Sequence, residues 1–414
     1  MARQMKDSGV EWIGQIPAEW KRVKLKEVTN IIMGQSPEAQ DIKDFGNIPF
    51  MQGNREFGSI YPNAVKFCDN SPKKSRIGDI LLSVRAPVGA INVSDKVYAI
   101  GRGLCSICAT SINSKFLMYF LMLIMQDTKK FGQGSTFDAI TIQELKQLPV
   151  LLPPINTQNR IASYLDRKCA QIDAIIAKQQ QIIEKLKEYK LSVITEAVTK
   201  GLDPNVPMKD SGVEWIGKIP EHWNILKLQA HTRMLTPMRD RPEKLDGDIP
   251  WVRIEDYDGK YISTSKEGLG VSLETVNEMN LKIYPVGSIL CTSSCDLGKC
   301  AIVTRELVSN QRFINIIPDL DTNSDYLYYL MLSNAKRLNH LSTGTIQANL
   351  SRKAFEHLMV QFPPFAEQKE IAEYLDKKCE TVELSIRKKQ ELIDRLNLYK
   401  KSLIYETVTG KKEI

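Results

Sequence analysis

Two short segments carry side chains suited to hydrogen bonding with the edges of nucleic-acid bases. They are Gln52-Gly53-Asn54-Arg55 and Arg253-Ile254-Glu255-Asp256. Arg, Asn, Gln and Asp at turn tips supply the donors and acceptors that a base edge requires. Around them lie basic residues able to neutralise phosphates: Lys73-Lys74-Ser75-Arg76 with Arg85 and Arg102, and Arg239-Asp240-Arg241 with Arg312. The candidate contact residues are therefore Gln52, Asn54, Arg55, Lys73, Lys74, Arg76, Arg85 and Arg102 in the first half. In the second half they are Arg239, Arg241, Arg253, Asp256 and Arg312. The plainer reading of such a run is a solvated face.

Other chemistries find less support. Cys105 and Cys108 have the spacing of a zinc pair, and Cys291, Cys295 and Cys300 form a second group. A metal needs about four converging ligands, whereas the apolar stretch LCSICA reads as a buried strand. No metal site is expected. Asn47-Ile48-Pro49-Phe50 and Asp248-Ile249-Pro250-Trp251 resemble the loop that holds a flipped adenine, but each lacks its second proline. They read as turns entering strands. There is no Gly-rich phosphate loop ending in Gly-Lys-Ser/Thr. The four histidines all fall in the second half, so no catalytic residues are expected.

The elements that must position these groups follow from the whole chain. Its 414 residues are 43% apolar and 25% charged, as in a soluble globular protein of two to four domains. A net charge of +7 leans towards a polyanionic partner. The apolar run at 116–125 is far shorter than the ~20 residues of a membrane helix. With no apolar leader at the start and only eight cysteines, a cytoplasmic location is expected.

The chain repeats itself. Residues 5–25 read MKDSGVEWIGQIPAEWKRVKL, and residues 208–228 read MKDSGVEWIGKIPEHWNILKL. A second matching pair opens at Pro153-Pro154 and Pro363-Pro364. Between them the sequences diverge but keep a skeleton: Gly89 answers Gly298, and Gly134-Ser135-Thr136 answers Gly344-Thr345-Ile346. Residues 23–150 carry 15 Lys and Arg against 11 Asp and Glu, while residues 226–360 balance at 16 each. This is the pattern of two related modules with a shared frame and different specificities.

No Gly or Pro interrupts residues 157–199, and apolar residues recur there at steps of three and four. Leu165, Ile172, Ile176, Ile183, Leu186 and Val193 form one stripe; Leu375, Val382, Ile386, Ile393, Leu396 and Leu403 form its copy. Each predicts a long helix, with about 43 residues spanning roughly 65 Å. Connectivity predicts that the two helices pack antiparallel as a coiled coil, with a module at each end of the rod. The expected fold class is α+β: two repeated mixed α/β modules joined by two long antiparallel helices, pseudo-twofold and circularly organised. The expected domains are 1–152 (first module with its leading segment), 153–207 (first long helix and linker), 208–362 (second module) and 363–414 (second long helix).

At this point the residues carry a family resemblance. Pro153-Pro154 with Gln158, Ile161, Ala162, Tyr164, Leu165 and Asp166 is one copy of a motif. Pro363-Pro364 with Gln368, Ile371, Ala372, Tyr374, Leu375 and Asp376 is the other. Together with the repeated SGVEWIG segment, the chain resembles the specificity subunit of a type I restriction–modification system. The resemblance implies a non-catalytic DNA reader whose two target recognition domains each contact half of a bipartite double-stranded target. It implies that the helices set the spacer and dock two methyltransferase subunits carrying S-adenosylmethionine. Restriction subunits, using ATP and Mg, would join for cleavage, and this chain would bind no cofactor. The competing readings are a self-sufficient DNA methyltransferase and a coiled-coil scaffold without DNA specificity.

Overall fold

A computed structural model of the chain describes residues 3–125, 139–237, 241–294, 297–341 and 350–414. Gly134-Ser135-Thr136, Gly344-Thr345-Ile346, Arg239 and Cys295 lie outside the described residues. Two compact units emerge: Met1–Gln179 with Glu391–Ile414, and Gln180–Gln390. Each contains one module and segments of both long helices.

The long helices are Ile155–Lys200, with 46 residues, and Phe365–Val408, with 44. A Pro-Pro pair precedes each, and a glycine with positive φ follows each: Gly201 at +75° and Gly410 at +74°. Glycine adopts this left-handed conformation without the Cβ penalty, so it closes the last helical turn. Along the stripe, each of the twelve predicted packing residues is buried or half-buried.

In the first unit, Ile161, Leu165, Cys169 and Ile172 share a core with Leu403, Ile404 and Val408. Lys400 Nζ lies 2.7 Å from the Asp173 carboxylate, and Arg160 donates to the carbonyl of Ile414. One helix therefore ascends as the other descends. The second unit repeats the antiparallel arrangement with Ile194, Ala197 and Val198 against Ile371, Leu375 and Cys379, and Lys190 pairs with Glu383.

The first module holds a four-stranded antiparallel sheet, in the order Thr29–Met33, Leu104–Ala109, Ile80–Ser83, Ile91–Val93. A separate three-stranded sheet places Pro49–Met51 centrally, antiparallel to Lys66–Phe67 and parallel to Ala99–Ile100. The second module echoes this plan. Its larger sheet has five strands, and its three-stranded sheet centres on Ile249–Val252, antiparallel to Gly270–Val271 and parallel to Val308–Ser309. Both proline-containing tetrapeptides thus lead into a central strand. Phe50 and Trp251 are buried there at 5% and 6% exposure, so neither offers a free ring face.

Each module is locked to its long helix by the repeated motif. The Gln158 amide is 2% exposed; it donates to Pro153 O at 2.8 Å and accepts from Asn113 N at 2.7 Å. Gln368 repeats this with Pro363 O and Asn323 N, both at 2.9 Å. Asp166 accepts from Tyr119 Oη at 2.9 Å, and Asp376 from Tyr329 Oη at 2.6 Å. Asn113 and Asn323 each accept from a backbone N–H three residues on, in the first turns of helices Ser114–Met125 and Ser324–Ser333. The apolar run at 116–125 is a buried amphipathic helix, and no helix among the described residues is long and apolar enough to cross a membrane.

The leading segments close on helix ends. Pro17 and Trp20 meet Gly410 at the end of the second helix, and Tyr405 Oη donates to Trp12 O at 3.2 Å. In the second unit, Pro220 and Trp223 meet Gly201 at the end of the first helix. The expected circular organisation follows: the N-terminal segment meets the second helix as its copy follows the first.

Candidate nucleic-acid interface

Main-chain hydrogen bonds gather several candidate residues of the first module. Gly101 N donates to Met51 O at 2.7 Å, Gly103 N to Gln52 O at 3.1 Å, and Val84 N to Gly103 O at 2.9 Å. This places Arg102 beside Gln52, with Arg85 immediately after Val84. Ile100 N donates to Lys73 O at 3.1 Å, which brings in the backbone of Lys73. Arg55 sits in the short turn Asn54–Glu56, and Gln52, Arg55, Lys73, Arg85 and Arg102 are all exposed. Asn54, in the same turn, is half-buried.

Two glycines make this close approach possible. A Cβ on Gly103 would fall 2.6 Å from Gln52 O, and one on Gly34 would fall 2.2 Å from Gly101 O. Three loops therefore meet backbone to backbone, leaving the side chains to point elsewhere.

Lys74 and Arg76 are held apart from this group. Lys74 Nζ donates to Asp69 O at 2.8 Å, which leaves two of its three N–H donors. Arg76 sits where Asp79 Oδ2 accepts its backbone N–H at 2.8 Å. Its charge acts on Cys108, near the far end of the strand that begins at Leu104.

The second module keeps the same frame with different contents. Asn310 N donates to Val252 O at 3.2 Å, and Ser293 N to Arg312 O at 2.8 Å. Arg253 therefore takes the place of Gln52, Gln311 that of Arg102, and Arg312 that of Gly103. The Arg253 guanidinium pairs with Glu267 at 2.6 Å, and exposed Arg241 lies over the Trp251 ring at 5.8 Å.

Asp256 corrects the sequence reading. It is 4% exposed, and its carboxylate accepts from Arg253 N at 2.7 Å and Lys266 N at 2.8 Å. An acid satisfied by backbone donors stabilises a turn and has nothing left for a base.

Among the described residues every cysteine but the half-buried Cys108 is core. Cys105 is fully buried, which pushes its thiol up to about 12. Burial likewise raises Cys169 and Cys379 at equivalent helix positions. Among the described residues no group of His, Cys, Asp or Glu is placed to hold a metal ion.

The family model described as "Type I restriction modification DNA specificity domain" matches twice, at residues 17–188 and 231–393. The chain belongs to that family. Each match spans one variable module and most of the long helix that follows it. Over nearly the full length, the chain is 23% identical to the type I restriction enzyme MjaVIII specificity subunit of Methanocaldococcus jannaschii, covering 96% of this chain and 94% of that one. It is 22% identical to the EcoDI specificity subunit of Escherichia coli, covering 96% and 90%. Similarity to the putative MjaX specificity subunit of M. jannaschii is higher, 37%, but spans only 44% of each chain. A chain solved in work on complex assembly and conformational transition of the type I restriction–modification system shares the fold, with a TM-score of 0.74 at 15% identity; the match covers 96% of this chain and 99% of that one.

Sequence reasoning missed three residues of the junction. Ser36 hydrogen-bonds the Gln52 side chain, Gln311 occupies the Arg102 position, and Glu267 holds Arg253. A serine or glutamate in a loop carries no local pattern. Only the repeat alignment around Gly101 and Asn310 could have pointed to Gln311.

Proposed function

We propose that this chain is the non-catalytic targeting subunit of a type I restriction–modification complex, acting in the cytoplasm. Each module reads one half of a bipartite double-stranded DNA target. The paired helices set the spacer and dock two methyltransferase subunits, and motor/nuclease restriction subunits join for cleavage. S-adenosylmethionine then belongs to the methyltransferase subunits, and ATP and Mg to the restriction subunits.

The observation that carries this reading is the matched main-chain frame filled with unlike polar side chains. Gln52, Arg102 and Gly103 stand opposite Arg253, Gln311 and Arg312. Main chain positions a reader and carries no sequence information; side chains at groove-facing tips supply it. A scaffold that binds only protein gives no reason for this contrast.

The test is an exchange of residues 23–150 for the equivalent module of a relative. The recombinant chain is assembled with methyltransferase subunits, and methylated plasmid is sequenced. One half of the motif should change and the other should stay. Removing one heptad from both helices, about 10 Å, should shorten the spacer and leave both halves intact. A swap that altered both halves, or a deletion that altered bases and not spacing, would refute the mechanism.

A further inference from the structure

The start of each long helix faces a buried tryptophan, and only the second unit fills the space between them. There the Trp223 indole N–H donates to Glu367 Oε2 at 3.0 Å, and His222 Nε2 lies 2.8 Å from the same oxygen. Glu367 is the third residue of its helix. In the first unit the third residue is Thr157, and the first helical turn carries no acid at all. Trp20 is 0% exposed, yet its Nε1 has no hydrogen-bond partner among the described residues. Trp20 and Thr157 instead line a cavity of about 400 Å³, a volume typical of small-molecule sites.

More than one acid has been exchanged. Arg3 stands where the second unit has Val206, and Arg160 stands where it has Glu370. Both arginines line the cavity, as do the acids Glu19 and Glu413. Arg3 Nη2 lies 2.7 Å from Glu19 Oε1, and Arg160 donates to the Ile414 carbonyl. A guanidinium has five N–H donors, so each arginine keeps several after one such bond. The start of a 46-residue helix adds the positive end of its dipole. The surroundings suit a single negative charge; a dianion would meet Glu19 and Glu413.

We propose that this cavity binds one carboxylate from outside the chain. Its oxygen accepts from the Trp20 indole N–H, as Glu367 does from Trp223, and the free donors of Arg3 and Arg160 hold it in place. Thr157 is the residue that leaves the site open.

The test uses the isotope-labelled full chain in carboxylate-free buffer, with the Trp20 indole signal identified by its loss in Trp20→Phe. Sodium acetate, added at constant ionic strength, should shift that signal saturably and leave the Trp223 signal in place. At roughly ten times its Kd, acetate should raise the melting temperature by about 3 °C. Thr157→Glu supplies the carboxylate from within and should weaken acetate binding roughly tenfold or more, whereas Thr157→Ser should bind as wild type does. Sulfate should bind more weakly than acetate. Assembly with methyltransferase subunits separates two sources of the carboxylate. A Trp20 shift that appears on assembly and blocks acetate assigns it to an acidic side chain of the partner; continued acetate binding assigns it to a free small molecule.

A Trp20 signal that acetate leaves unmoved overturns the proposal, as do equal shifts in wild type and Thr157→Glu, or tighter binding of sulfate. A response to acetate that appears only in Glu413→Gln overturns it as well, because the chain's own tail then fills the cavity.

Discussion

Replacing Thr157 by Glu should stabilise the first unit, because the second unit shows what the first lacks. Trp223 is fully buried, and its indole N–H donates to Glu367 Oε2 at 3.0 Å. His222 Nε2 lies 2.8 Å from the same oxygen. Trp20 is equally buried in the first unit, yet its Nε1 has no hydrogen-bond partner among the described residues. The reason is a single exchange: the third residue of the second helix is Glu367, and the third residue of the first is Thr157. A buried donor left unpaired costs about 1–3 kcal/mol.

Thr157 lines a cavity of about 400 Å³ with Trp20, where Arg3, Arg160 and Lys412 face Glu19 and Glu413, so a longer carboxylate has room in surroundings of mixed charge. A carboxylate in a first helical turn gains about 0.3–1 kcal/mol more, and ordering the side chain costs up to ~1.5–2 kcal/mol. The net expectation is a gain of about 1 kcal/mol, or roughly 2–4 °C for a unit of this size. Calorimetric melting of wild type and Thr157→Glu measures it, with Trp20→Phe and Trp223→Phe as controls. Trp223→Phe deletes the indole bond to Glu367, leaving that carboxylate with His222, and should cost more than Trp20→Phe, which deletes a donor already unpaired. A variant that melts at or below wild type, or equal losses in the two Trp→Phe controls, would show that the unpaired indole carries no penalty.

Three further outcomes are expected. Ile183 is 3% exposed and its neighbour Ile182 is 38% exposed, so Ile183→Asp should cost several kcal/mol by burying an unpaired ion, whereas Ile182→Asp should shift the denaturant midpoint little. Gln158→Ala should lower stability by about 2–3 kcal/mol, since it orphans the Pro153 carbonyl and the Asn113 N–H together; urea unfolding reads it, and a loss below 0.5 kcal/mol, about the floor for one bond, would discount the lock. Asp319 is pushed up by its partial burial but further down by hydrogen bonds from His231 and Thr322, so it sits below its ordinary value of 3.8. Its contribution is therefore complete above that value and fades as pH falls through the lowered native one. Asp319→Asn should accordingly lose less stability than wild type between pH 5 and pH 2, and parallel acid-unfolding curves would contradict this.

The long helices were the most legible part of the sequence, because a strict apolar period over 40 residues leaves few alternatives. Ile183 and Leu403 lie buried on the face the spacing assigns to them. The modules were legible only as mixed α/β. Their three-stranded sheets depend on the parallel pairing of Phe50 with Ala99 and of Trp251 with Val308, contacts between distant segments that no local window contains. In the interface, charge and turn position picked out Gln52 and Arg102 but equally picked out Lys74 and Asp256. Asp256 fails for a physical reason: an Asp in a turn also finds partners in its own backbone, and composition does not say which use prevails. Gln158 and Asp166 were visible as motif letters; their work, binding a module helix to a long helix, needed coordinates.

The junction built from main-chain hydrogen bonds has a consequence for how such a protein changes over generations. Bonds such as Gly101 N to Met51 O and Asn310 N to Val252 O hold whatever side chain follows. Residues 52, 102 and 311 are exposed, and surface substitutions of this kind usually move stability by less than ~0.5 kcal/mol. Mutational drift at these positions therefore escapes purging for misfolding, and a lineage can pass through many variants of the loop tips with its fold intact. Gly34, Gly101 and Gly103 are the exceptions, since any Cβ there strikes a neighbouring loop. Diversification should be rapid at the tips; in the first module these glycines hold it back, while the second module carries Asn310 and Arg312 at the places of Gly101 and Gly103.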